Sequence, residues 1–272
     1  MLKRLFIALI LLCFAVPCLA GTITIGKKKS GGGTTVFCTA AATCTATNPD
    51  QCDVLCEDFE SSTSCYAAYD SVCYNTSAGL IVGAGDSIDF TTTTATSFCT
   101  GTTNTNVTRI IISSGGNESS IRYTKGGDDV WVQGYFNLVS ESFGNEGGGY
   151  FLPLKDASSN LNIALQYYQH TDGKIYIRAR YINDAAGTTY VMGTTALSVA
   201  TWYRIRLAVN NSGKTATVKV NAGEAEISII DLNTTNVTGR VYVGDNVGGS
   251  AAFTFEYDNL TIDATGEPGP CL

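Results

Sequence analysis

The chain has 272 residues, 44% of them hydrophobic and 15% charged, with a formal charge of -7 and ten cysteines. That length and apolar share suffice for one full core, since all-β sandwiches of roughly 200 to 250 residues fold as single domains. The negative balance excludes the basic footprint that a nucleic-acid partner demands.

Met1 to Ala20 combines Lys3-Arg4, an apolar run from Leu5 to Phe14 and the small-residue end Cys18-Leu19-Ala20. This is the layout of a cleavable secretory signal, too short to span a bilayer comfortably. A lipid-anchoring signal wants a small residue before its cysteine, and Pro17 before Cys18 fits that poorly. Cleavage after Ala20 also removes Lys3 and Arg4, taking the charge from -7 to -9, and leaves Cys38, Cys44, Cys52, Cys56, Cys65, Cys73, Cys99 and Cys271. An even number of cysteines in an exported chain predicts disulfides, and with them a secreted, extracellular or cell-surface location. Zinc is the competing reading, but there is no Cys-x2-Cys pair and His170 is the only histidine. Residues 21–36 carry no period, and their glycines and lysines suit a flexible lead-in. Residues 37–73 hold six of the eight remaining cysteines with little apolar patterning. They read as a disulfide-rich N-terminal segment, stapled rather than packed and attached to a main domain that spans 37–272. Leu55 to Phe59 is a short strand candidate within it.

From Leu80 onward short alternating runs are separated by Gly, Asn, Asp, Ser and Thr, the pattern of an all-β sandwich or barrel. Predicted strands are Ser87 to Phe90, Thr108 to Ile112, Ser119 to Tyr123, Val130 to Val139 and Tyr150 to Leu154. After them come the two halves of Asn160 to Tyr181, then Trp202 to Val209, Thr215 to Val220, Glu226 to Ile230, Arg240 to Val243 and Phe253 to Ile262. Leu161, Ile163, Leu165 and Tyr167 alternate with polar neighbours, as do Ile175, Ile177, Ala179 and Tyr181. Between them lies Thr171-Asp172-Gly173. A two-residue Asp-Gly loop would set Ile175 and Ile177 beside His170 and Tyr168. A three-residue loop with Gly173 left-handed puts every apolar residue on one face and is the register expected here.

The polar face then gathers Gln166, Tyr168, His170, Tyr176, Arg178 and Arg180. Tyr168 stands opposite Tyr176 and Gln166 opposite Arg178, so flat rings and planar hydrogen-bonding groups alternate in a way a sugar ring can use. Gln133 and Tyr135 join this surface on the premise that Val130 to Val139 lies in the same sheet with Val132 and Phe136 in the core. The plain alternative is an exposed sheet face of ordinary strand residues.

Cys56 to Phe59 (CEDF), Trp202 to Leu207 (WYRIRL) running into TATVKVNAGE, and Tyr257 to Ile262 (YDNLTI) carry a resemblance over about residues 55 to 265. They resemble the first strand, central hairpin and last strand of concanavalin A-like lectin/glucanase domains of the laminin G-like kind. The resemblance implies an all-β, two-sheet antiparallel jelly-roll sandwich with adjacent first and last strands, used to bind carbohydrate and in some members to cleave it. Given that adjacency, Cys271 comes within reach of Cys52 or Cys56 as a disulfide partner. The paired carboxylates of a glucanase are absent: Glu57, Asp58 and Glu60 have another spacing, and Glu141 and Glu146 lie in a Gly-rich loop. Tyr168, His170, Arg178, Arg180 and Gln166 are side chains that β-elimination of uronate polysaccharides uses, but the Arg-x-Glu and Gln-x-His strands of such lyases are missing. Adjacent first and last strands would also bring Asp58, Glu60, Asp258 and Asn259 together. Asp58, Glu60 and Asp258 are the candidate ligands of a structural Ca2+, the one cofactor considered. Asn75, Asn106, Asn117, Asn210, Asn233, Asn236 and Asn259 open Asn-x-Ser/Thr sequons.

The function expected first is a secreted carbohydrate-binding or adhesion module whose partner is an extracellular glycan. The second is a polysaccharide lyase acting on uronate-containing glycans, and the third a surface or matrix component with no small ligand. No transmembrane segment and no catalytic residue is assigned.

Overall fold

The computed structural model describes residues 55–57, 79–81, 85–96, 104–113, 119–124, 129–233, 235 and 237–263. Among them the chain forms β1 (Leu55–Glu57), β2 (Gly79–Ile81), β3 (Ser87–Thr96), β4 (Asn104–Ile112), β5 (Ser119–Thr124), β6 (Val130–Glu141), β7 (Gly148–Lys155) and β8 (Leu161–Gln169). There follow β9 (Ile175–Ile182), β10 (Thr188–Met192), β11 (Trp202–Asn210), β12 (Thr215–Val220), β13 (Ala225–Ile229), β14 (Arg240–Asp245) and β15 (Phe253–Asp263). No helix in this region is long and apolar enough to cross a membrane.

The strands make two sheets in which every pairing is antiparallel. The first runs β13-β12-β11-β6-β15-β4-β3 with β1 added on β15, and the second runs β10-β9-β8-β7-β14-β5-β2. Their inner faces meet, giving the two-sheet jelly-roll sandwich that the alternation and the resemblance predict. Val132, Phe136 and Leu138 of β6 and Ile205, Leu207 and Val209 of β11 enter one core cluster with Ile163, Leu165 and Tyr167 of β8. Across the interface Phe136 packs edge-on to Phe151 at 5.3 Å, and Phe151 stacks on Tyr167 at 4.3 Å. Each such ring removes enough apolar area from water to stabilise by about 1.5–3 kcal/mol.

Two details of β7 shape the outer surface. The register shifts between Tyr150 and Leu152, so Phe151 and Leu152 both enter the core while Tyr150 stays on the outer side. A Cβ on Gly149 would lie 2.3 Å from the Phe253 ring, so only glycine lets β7 approach the facing sheet there. Beyond one edge of the sandwich, Glu226 of β13 accepts hydrogen bonds from the backbone N–H groups of Thr194 and Thr195 at 2.9 and 2.8 Å and from both hydroxyls. This ties the edge strand of the first sheet to the segment that follows the edge strand of the second.

The pairing of β1 with β15 sets Cys56 opposite Thr261, so the first and last described strands are neighbours. The expected disulfides, Cys271 with Cys52 or Cys56 among them, involve cysteines that, Cys56 apart, fall outside the described residues. So do all of 21–36 and all of 37–73 except Leu55–Glu57. β2 and β10 are strands that the sequence reading does not anticipate.

Candidate functional site

The β8–β9 hairpin is built by its loop. Gly173 has a φ of 78°, its N–H donates to the His170 carbonyl at 2.9 Å, and the His170 N–H donates to the Lys174 carbonyl at 2.9 Å. These bonds enclose three residues, Thr171 to Gly173, and set Tyr168 opposite Tyr176 and Gln166 opposite Arg178. Asp172 fastens the tip: its carboxylate accepts the Lys174 N–H at 3.0 Å and the Tyr176 hydroxyl at 2.8 Å, and lies 3.4 Å from His170 Nδ1. The Lys174 N–H, helped by Tyr176 and His170, holds the Asp172 carboxyl below its usual pKa, while Asp172 pushes the Tyr176 hydroxyl up.

Arg178 is the centre of the face. Its Nε and Nη2 both donate to Gln166 Oε1, at 2.9 and 2.7 Å. The guanidinium sits 3.5 Å from the Tyr168 ring centroid and 4.7 Å from that of Tyr190, which β10 supplies. Two residues along β9, Arg180 donates from Nη1 to the Tyr150 hydroxyl at 3.4 Å. Burial pushes the Tyr150 hydroxyl up, and Arg180 opposes that shift. Tyr168 itself is only 6% exposed because the stack covers it, whereas Tyr190 is 48% exposed and forms the outermost ring. The face continues over β7, β14 and β5. There the Lys155 Nζ lies 5.6 Å from the Tyr242 centroid, and Arg122 stands opposite Tyr242.

Gln166, Tyr168, His170, Tyr176, Arg178 and Arg180 thus belong to one hairpin, with His170 and Tyr176 at its tip beside Asp172. Gln133 and Tyr135 do not join them. They lie on β6, which is held between β11 and β15 in the first sheet, and so face outward on the opposite side of the sandwich. Gln133 is 1% exposed there, and Tyr135, pushed up by burial, stands beside Arg204. The premise of a shared sheet fails because alternation separates inward from outward side chains without saying which of two facing sheets owns the strand. Of the carboxylates expected around Ca2+, Asp258 is buried on β15 opposite Tyr135, and Asp58 and Glu60 fall outside the described residues. Among the described residues no group of three potential metal ligands converges.

Tyr150 and Tyr190 are the site residues that sequence reasoning missed. The signal for Tyr150 was inverted by the β7 bulge. For Tyr190 the flanking Gly187 and Gly193 were available, but Tyr190 and Met192 put apolar residues on the outward side and erased the polar half of the alternation.

The class this fold defines is the antiparallel two-sheet jelly-roll sandwich. No family model matches the chain, and no curated protein does. Among solved structures it is similar to a carbohydrate esterase from the Shiga toxin-encoding bacteriophage phi24B. That likeness has a TM-score of 0.50 and 12% identity, over 74% of this chain and 96% of that one. An alginate lyase from Klebsiella pneumoniae gives a TM-score of 0.45 at 10% identity, over 57% of this chain and 80% of that one. The receptor-binding domain of botulinum neurotoxin D gives 0.45 at 11%, over 69% of this chain and 44% of that one. At these identities the likeness concerns the fold alone.

Proposed function

We propose that the protein is a secreted carbohydrate-binding or adhesion module that seats an extracellular glycan on the outer face of the second sheet. The observation that carries this reading is the layered arrangement of Tyr190, Arg178 and Tyr168, with Gln166 fixing the guanidinium edge. An exposed flat ring offers the apolar face of a sugar a platform, and planar donors beside it meet the hydroxyls. The pieces are held by one another before any ligand arrives, which lowers the ordering cost of binding. A glycan array probed with the purified mature protein tests this. Binding to a defined set of glycans is expected, weakened by Tyr190→Ala with little change in melting temperature, since that ring is half exposed. Absence of binding across the array, or binding indifferent to Tyr190→Ala and Arg178→Ala alike, would count against the site.

A second reading, a lyase that cleaves uronate glycans by β-elimination, is favoured by one observation. The carboxylate of Asp172 lies 3.4 Å from His170 Nδ1, the pairing of groups an imidazole base uses, at the end of the strand carrying Gln166 and Tyr168. Appearance of the unsaturated uronate chromophore on incubation with acidic polysaccharides would support it, and intact polymer after long incubation would remove it.

A further inference from the structure

Resting on the glycan reading above, we infer that the surface selects glycans bearing an anionic group, a carboxylate or a sulfate, with Arg178 as the anion receptor and Arg180 beside it. The charge distribution is the first argument. The chain is acidic overall, yet the outward strand positions of the second sheet carry Arg122, Lys155, Arg178, Arg180 and Arg240. Among the described residues none of those positions between the strand ends carries Asp or Glu. Two cations off this face have carboxylate partners, Arg109 with Glu256 at 2.5 Å and Lys214 with Asp184 at 3.0 Å. Arg178 and Arg180 have no carboxylate partner among the described residues. With a screening length of about 8 Å at physiological salt, a ligand on this face is governed by these local cations rather than by the distant net charge.

Geometry is the second argument. A guanidinium has two hydrogen-bonding edges suited to a planar or tetrahedral anion. In Arg178 the Nε edge is spent on Gln166, and Nη1 makes no hydrogen bond to any described residue, so the edge toward Nη1 is open. The Tyr168 and Tyr190 rings, 3.5 and 4.7 Å from the guanidinium, replace part of its water shell with apolar surface, which strengthens whatever it binds at that edge. Arg180 turns Nη1 to the Tyr150 hydroxyl, while its Nη2 is not buried and makes no hydrogen bond to any described residue, so a second donor lies two residues along the strand, about 6.6–7 Å away. Sugar hydroxyls could meet these donors but would leave the paired charge uncompensated. An anionic substituent supplies both.

The test measures binding of the mature protein to a uronate homopolymer, a sulfated glucan, a neutral glucan of equal length and an inorganic polyphosphate. Tighter retention of the uronate or the sulfated polymer than of the neutral one is expected. It should weaken toward about 0.5 M salt, where screening shortens to a few ångströms. Arg178→Gln and Arg180→Gln should each cut that affinity by about tenfold, the loss expected of one charge-assisted contact. Arg178→Lys, which keeps the charge and loses the fork, should lose most of it too, with an unchanged melting temperature certifying the fold. Preference for the uronate or for the sulfated polymer supports the inference and names the group. Equal binding of neutral and acidic glucans would overturn the anionic inference and leave the glycan reading standing. Failure to bind any of the three glycans would take the glycan reading down with it. Polyphosphate bound as tightly as the acidic glycans, or acidic binding unmoved by both Gln variants, would also overturn it.

Discussion

Tyr167 and Tyr168 are adjacent in sequence and do opposite things. Tyr168 lies under Arg178 on the outer face, while Tyr167 is 2% exposed in the core, between Phe151 and the rings of Phe253 and Phe255. Burial drives the Tyr167 hydroxyl well above its usual pKa, and the oxygen has no hydrogen-bond partner among the described residues. An unsatisfied buried hydroxyl costs about 1–3 kcal/mol, while its ring contributes packing that phenylalanine reproduces. Tyr167→Phe is therefore expected to raise the unfolding free energy by about 1 kcal/mol, read as a higher denaturant midpoint at unchanged slope. A fall in the midpoint would show that the hydroxyl is satisfied.

At the scale of the element, the β8–β9 hairpin depends on one backbone conformation. Gly173 is left-handed, and nothing lies within 4 Å of where a Cβ would stand. The cost of a side chain there is purely conformational, so Gly173→Ala is expected to destabilise by about 1–2 kcal/mol without displacing any neighbour. Chemical denaturation measures that loss, and a neutral result would mean the turn relaxes to another type. This hairpin was fully legible in the sequence, because two clean alternations flank a loop whose glycine admits only one register that buries every apolar residue. β6 was legible as a strand and as to which residues face inward, and illegible as to its sheet, since Gln133 and Tyr135 point outward from either. β10 and Tyr150 were hidden by local departures from a period of two, an apolar outer side in one and a bulge in the other. The centre of the candidate site was therefore readable in the hairpin, while the rings that complete it came from strands whose patterns were broken.

For the molecule as a whole, the two sheets are fastened along one side by Glu226. Partial burial alone would raise this carboxyl, but the hydrogen bonds from Thr195 and Thr194 outweigh it and hold the pKa below the ordinary glutamate value. A depressed carboxylate contributes stability that is present above its unfolded pKa and is lost as pH falls through the folded one. The melting temperature of the parent should thus exceed that of Glu226→Gln near neutrality, and the gap should close in the acid range below the ordinary glutamate value. A gap independent of pH would assign the effect to packing instead. Further across the first sheet, β15 sits between β6 and β4 and also carries β1, so the last described strand is the keystone of that sheet. Until Phe253–Asp263 has been added, β4 with β3 and β6 with β11 to β13 are separate half-sheets with unpaired edges. Closure pairs β15 with residues from 112 positions earlier in the chain, Glu141 with Phe253, to 207 positions earlier, Leu55 with Ile262, the kind of topology that folds slowly. A folding chain therefore carries open strand edges on both half-sheets until its last described strand arrives, and those edges are where pairing with another chain would compete with closure.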